Sequence, residues 1–440
     1  MGSATPKHAI IHYQVGKTDG VSLQIEEKVK ILKKSGQDVK LISGPNQEGA
    51  DYIIEDLRFD KGSVKDLEIT LPTRLSLGEF RPRYEEMAGK IFRQLDLIFE
   101  EEKFDFVHTY NLLSLGRHPA SAAALMKVLD KYKVQTFSTS PDIYWERQDI
   151  IMGTSPEVLG FIASVHLANR PYIKHIFINS LAKAEVEKRK GVVGEVLPDV
   201  FDFDMRHELS EEKKQEIRKE LGVGKEDLIV LQATRIVRRK GIELTIDYVA
   251  ELQKLVDKKI VLLFTNYVDE MEQDAVRYFS QLKEKSQSLG VEFIYAFDLF
   301  NTKYSFWDGY FVCDVIAYPS QVEGFGNQFL EAMYAKKPVL VFEYPVFEAD
   351  IKKEGYEVIS LGNKAFVKDL VNGFVSVKPD ILEKAARQTV DLLNDEARLK
   401  EVTTKNFEIG YENHSLKVLE KFLDKEIAAR IKVKSPILIG

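Results

Sequence analysis

The feature that most constrains this chain is an alternation. Short apolar runs of strand length recur along its 440 residues, and most are followed by a longer stretch with helical spacing. HAIIH (8–12) precedes a helical pattern at 23–35, and VKLIS (39–43) is a second strand. A long helical pattern at 83–102 leads into FDFVHTY, and a helix at 119–132 into VQTFSTS. KHIFIN (174–179) is followed by a helix at 181–190. Strands joined in this way pair in parallel, because each connection must cross the sheet, and the crossover helices cover both faces.

The rhythm breaks once, at VLPDVFDFDMRHELSEE (196–212), where a proline and clustered acids replace the periodicity. It restarts with a helix at 212–221, the strand DLIVLQAT and a helix at 242–255. KIVLLFTN, a helix at 271–289, VEFIYAF, CDVIAYP and PVLVFEY continue it. A chain this long exceeds one ordinary core. The expectation is an α/β protein of two doubly wound, Rossmann-like domains, residues 1–200 and 201–404, followed by a helical segment at 405–440 (helical pattern 407–431). Ligands of such sheets bind beyond the carboxyl ends of the strands.

Composition narrows the partners. The formal charge of −7 gives no general attraction to nucleic acid or anionic lipid, so an anion site must be a local cluster of cations. Cys313 is the sole cysteine, which excludes an intrachain disulfide and a cysteine zinc cluster. No apolar run approaches the roughly 20 residues of a membrane helix, so no stable membrane insertion is expected. The opening residues lack a basic stretch followed by an apolar one, and a cytoplasmic location is the expectation.

Two loops hold the chemistry. RIVRRKG (235–241) lies between a strand and a helix, where unpaired helix amides and the cations Arg235 and Lys240 would concentrate positive charge. SQVEGFGNQFLEAM (320–333) places Glu323 in a loop after a strand and Glu331 just over one turn into a helix. Gly324 and Gly326 leave backbone amides open to close approach, and a carboxylate accepts from hydroxyl pairs such as a sugar or ribose diol. A solvated basic loop and a plain glycine turn account for each loop taken separately. Together they provide cations for a diphosphate and acceptors for polyols, the inventory for a nucleotide sugar.

The order TRIVRRKG, PSQVEGFGNQFLEA, KKPVLVF resembles the retaining glycosyltransferases of family 4, which have the two-domain GT-B fold with a central cleft. The resemblance is most specific over residues 228–341, where Glu323 and Glu331 match the family's E-x7-E signature. It implies a hexosyltransferase that needs no metal and no cofactor besides its nucleotide diphosphate sugar, whether UDP-, GDP- or ADP-linked. Arg235 and Lys240 would bind the diphosphate and stabilise the leaving group. Glu331 would take the ribose hydroxyls. Glu323, with Gly324 and the amides of Phe325, Gly326 and Asn327, would hold the donor sugar. The last helix would pack back toward the N-terminal domain.

The N-terminal half is expected to supply the acceptor pocket. GKTDGVS (16–22) matches the family's first glycine loop, with Gly20 near the donor phosphate and Val21 and Ser22 near the acceptor. SPDIYWER resembles a family segment whose histidine is replaced here by Pro141, which leaves Asp142 to orient a hydroxyl and Arg147 to meet an anionic acceptor. In FVHTYNLLS, Tyr110 stands where the family often has a second histidine; Tyr110 and Asn111, with His118 of GRHPAS, are further acceptor candidates, while His108, within the strand, reads as a buried structural residue. The acceptor is a small polar molecule, a saccharide or a lipid-linked sugar, and oligomeric state is left open. A GT-B phosphorylase or epimerase, and a silent sugar-nucleotide-binding protein, are the alternatives.

Overall fold

The computed structural model describes residues 5–16, 20–45, 49–57, 75–146, 154–268 and 273–434. They form two units. The first comprises the described residues up to Val200 and those from Leu416 onward; the second is Phe201–Ser415.

The first unit is built on seven strands: β1 (Lys7–Ile11), β2 (Asp38–Ser43), β3 (Tyr52–Ile53), β4 (Phe106–Tyr110), β5 (Gln135–Ser140), β6 (Ile173–Phe177) and β7 (Gly194–Val196). All pair in parallel in the order β3-β2-β1-β4-β5-β6-β7. The order reverses direction at β1, the position at which doubly wound sheets open a crevice. The central β4 is buried on both faces, as a parallel strand covered by helices must be. Leu77–Glu102 begins at a capping box in which Ser76 and Glu79 satisfy each other's amides, and it runs past Pro82.

The second unit carries β8 (Leu228–Leu231), β9 (Ile260–Phe264), β10 (Glu292–Tyr295), β11 (Val315–Tyr318), β12 (Val339–Val341) and β13 (Ile359–Ser360). These are again all parallel, in the order β10-β9-β8-β11-β12-β13. A hairpin, β14 (Phe366–Asp369) with β15 (Phe374–Ser376), follows. β8 and β11 are neighbours, so the two loops singled out from the sequence emerge side by side from one end of the sheet.

The helical pattern read at 407–431 is two helices, Glu396–His414 and Leu416–Lys434, because Ser415 is extended (ψ 164°). The first of them, including residues 405–414, is part of the second unit, so the returning segment starts at Leu416. Leu419, Leu423 and Ile427 of Leu416–Lys434 join Ile10, Ile25 and Phe106 in a buried cluster of the first unit, and Glu426 pairs with Lys174 at 2.7 Å. No helix among the described residues is long and apolar enough to cross a membrane.

Candidate functional site

The basic loop after β8 is shaped by a glutamine that the sequence reading passed over. Gln232 is fully buried; its amide nitrogen donates to the Lys240 carbonyl at 3.0 Å, and its amide oxygen accepts from Thr245 Oγ1 at 2.6 Å. The loop therefore curls back into a single 3-10 turn, Arg238–Lys240, and turns into the helix Ile242–Leu252 through Gly241 at φ +61°. A Cβ on Gly241 would overlap the carbonyl oxygen of Pro319, which begins the loop after β11. The Gln321 amide donates to the Arg239 carbonyl at 2.8 Å. The two loops are thus one structural piece.

Its charges are already arranged. Lys240 is buried, its ammonium bound to Glu323 Oε1 and lying 5.4 Å from the centre of the Tyr318 ring. Arg239 donates to Glu323 Oε2 at 2.7 Å and to the Val322 carbonyl at 3.1 Å. Burial pushes the Lys240 pKa down, against the pull of Glu323. Burial pushes Glu323 up, but Lys240 and Arg239 outweigh it and hold the carboxyl below its ordinary value. Glu323, read as a sugar ligand, is thus also the counter-ion that holds Lys240 in place. Arg235 is exposed, and its guanidinium makes no hydrogen bond or ion pair with any described residue. Arg238 faces elsewhere: it donates to the Asn372 carbonyl at 2.8 Å and covers the Tyr278 ring, tying down the hairpin.

The acidic loop ends at Gly326, φ +140°, where a Cβ would lie 2.5 Å from the Tyr344 hydroxyl. That hydroxyl donates to the Phe325 carbonyl, and the buried Phe325 ring rests 5.0 Å from His414. Phe325 therefore offers a ligand its amide and not its ring. No described residue accepts from the amides of Phe325, Gly326, Asn327 or Gln328, which gather where the helix Asn327–Tyr334 begins. Such a cluster of free N–H groups suits an anion or a hydroxyl oxygen. Glu331, on the same helix, accepts from the hydroxyl of fully buried Tyr310. Burial raises the Glu331 pKa to about 7, while Tyr310 and the charge of Lys240 pull it down.

In the first unit, Asn111 follows β4 at φ +57° and exchanges two hydrogen bonds with Asp142, which follows β5. Its Nδ2 donates to Asp142 Oδ2 at 3.1 Å and its Oδ1 accepts from the Asp142 amide at 3.0 Å. These two sequence candidates do come together at the ends of adjacent strands. Gly20 opens the helix Gly20–Lys34, with Val21 half-buried and Ser22 buried behind it; the rest of that glycine loop, residues 17–19, lies outside the described residues, as does Arg147.

Two acceptor assignments need correction. His118 is fully buried and both ring nitrogens are spent on backbone: Nε2 bonds the Asp56 carbonyl at 2.8 Å, and Nδ1 accepts from the Ser121 amide at 3.1 Å. It caps the helix Pro119–Tyr132, and burial holds its pKa down at about 4, so it is neutral. Tyr110 is buried in the apolar cluster, with the Lys28 ammonium 4.5 Å from its ring centre. His108 is fully buried and bonded to His8 at 3.0 Å.

With this geometry in view, the similarities to known proteins are specific. Residues 213–407 match the family model described as glycosyl transferases group 1. The chain is 34% identical to the mannosylglucosylglycerate synthase of Thermotoga maritima, across 96% of this chain and 99% of that one. In fold it is similar to a glycosyltransferase of Rickettsia africae (TM-score 0.67, 15% identity, 98% of this chain and all of that one). It is also similar to Anabaena HepE, solved in complex with UDP and glucose (TM-score 0.60, 15% identity, 96% and 100%).

Proposed function

This chain belongs to the group 1 glycosyl transferases, family 4, with the GT-B fold, and from that premise we propose a specific reaction for it. It moves a hexose from a nucleotide diphosphate sugar to an acceptor hydroxyl, with retention at the anomeric carbon and without a metal. The name of the 34% identical relative supports a mannosyl group as the cargo and glucosylglycerate as the acceptor.

One observation carries this reading: the cations of the β8 loop, the free amides of 325–328 and the Glu331 carboxylate lie on two interlocked loops, and the helix that continues the second, at one end of a single sheet. Arg235 and Lys240 meet the diphosphate, the amides and Glu323 meet the hexose, and Glu331 meets the ribose. In the transfer the bond from the anomeric carbon to the diphosphate breaks and the bond to the acceptor oxygen forms. The acceptor proton leaves on a diphosphate oxygen, and the nucleotide diphosphate departs with its charge balanced by fixed cations. Such preorganised charge in a site shielded from water is worth several kcal/mol of barrier.

The test is a transfer assay with GDP-mannose, UDP-glucose and ADP-glucose against glucosylglycerate and glycerate, with and without EDTA. The expected outcome is a disaccharide-glycerate product that keeps the donor's anomeric configuration, at a rate EDTA does not change. Transfer only to inorganic phosphate, or donor binding without turnover on any acceptor, contradicts the proposal.

A further inference from the structure

The Glu331 carboxylate is held from outside its own helix. The helix Phe306–Val312 is fixed at its start by a capping box of Ser305 and Asp308. Asp308 in turn holds Lys213 at 2.8 Å and His207 at 3.1 Å. Tyr310, two residues on, is fully buried among Phe306 and Trp307, and its hydroxyl donates to Oε2 of Glu331. No described residue donates to the other oxygen, Oε1.

We propose that Tyr310 is the positioning residue of the donor site, fixing through its hydrogen bond to Oε2 which oxygen of Glu331 receives the ribose hydroxyls. The inference rests on the reading of Glu331 as the ribose acceptor. A carboxylate on a free side chain samples several rotamers, and each lost rotamer must be recovered from binding energy. Anchoring one oxygen to a rigid helix removes that cost before the ligand arrives and leaves Oε1 with both of its acceptor sites open. The same hydrogen bond favours the charged carboxylate, since a donor stabilises the ionised form.

The other groups acting on this carboxylate are few. Lys240, from the β8 loop, lowers its pKa through charge; Gln328, one turn earlier on its own helix, lies beside the Tyr310 hydroxyl; Cys313 also faces Tyr310. Burial pushes the Cys313 thiol up to about 12, so it is neutral where Glu331 titrates. Tyr310 is therefore the neutral donor whose removal changes Glu331 without changing the site's net charge.

The test is calorimetric titration of GDP-mannose and UDP-glucose, whose bridging diphosphates keep a fixed charge, into the full chain between pH 6 and 9. In the wild type, affinity is expected to rise as Glu331 ionises. In Tyr310→Phe the midpoint of that rise moves up by about one pH unit, so affinity falls roughly fivefold to tenfold at pH 7 and recovers by pH 9. Glu331→Gln, which cannot ionise, removes that rise. A Tyr310→Phe loss that is the same at every pH, or no loss, overturns the positioning role while leaving the ribose reading intact. Unchanged affinity in Glu331→Ala overturns the ribose reading itself, and a wild-type profile without the rise overturns the proposal even if Tyr310→Phe does not fold.

Discussion

Lys28 is a buried charge and Glu331 a half-buried one, with opposite pH signatures, and both can be measured. The Glu331 carboxyl is raised in the fold from 4.5 to about 7 by burial, so its favourable contribution is fully present below about pH 4.5 and is lost as pH rises through 7. Glu331→Gln is therefore expected to be more stable than wild type at pH 8, by about 2 kcal/mol, and equal to it near pH 4.5, by urea unfolding. Lys28 is lowered from 10.5 to about 7, again by burial, and among the described residues the face of the Tyr110 ring offsets the cost. The unfolded chain binds the proton more tightly between those values, so stability rises with pH across that window. Lys28→Met is expected to stabilise at pH 7 by about 2 kcal/mol, with the gain gone near pH 10.5. Arg235, Lys240, Glu323 and Glu331 could be proposed from sequence because the two strand-end segments that carry them together hold the cations and acceptors a nucleotide sugar needs, although each segment alone has a plain structural account. Tyr310 could not: it is one aromatic among several in SFWDGYFV, and only the fold brings it to Glu331. His118 misled for the same reason, since its role as a helix cap depends on where Asp56 passes.

Among elements, the interlock of the β8 and β11 loops makes the strongest claim. Gly241 combines a left-handed φ with contact against Pro319, so Gly241→Ala cannot be accommodated without separating the loops. It is expected to lose donor binding together with roughly 2 kcal/mol of stability, whereas Gly222→Ala, at φ +67° with open space around it, is expected to lose only part of that stability and bind normally. The returning helix Leu416–Lys434 gives a second test. Leu423 is 1% exposed in the first unit's core, and Leu423→Ala should cost about 3 kcal/mol in chemical unfolding. Strands such as IVLLF were legible because a covered parallel strand is apolar throughout. The hairpin β14–β15 and the break at Ser415 were not. The first hairpin strand leaves Phe366 and Val367 exposed, so its apolar residues mark no buried face, and Ser415 interrupts a helical pattern without proline or glycine.

At the scale of the whole molecule, two parallel-sheet units and a group 1 match place the chain among GT-B glycosyltransferases. The residues proposed for the donor lie within one unit, on the loops after the neighbouring strands β8 and β11 and the helix that follows the second. The acceptor candidates Asn111 and Asp142 lie in the other unit, and a further candidate, Arg147, lies outside the described residues. The central claim is that Lys240, held by Glu323, is the cation that receives the donor diphosphate. Titrating GDP-mannose and UDP-glucose into wild type and Lys240→Met, with melting temperatures recorded alongside, tests it most directly. The expected result is binding weakened roughly 100-fold, about 2.7 kcal/mol, in a protein that still melts cooperatively. Wild-type affinity in the folded Lys240→Met variant would contradict it.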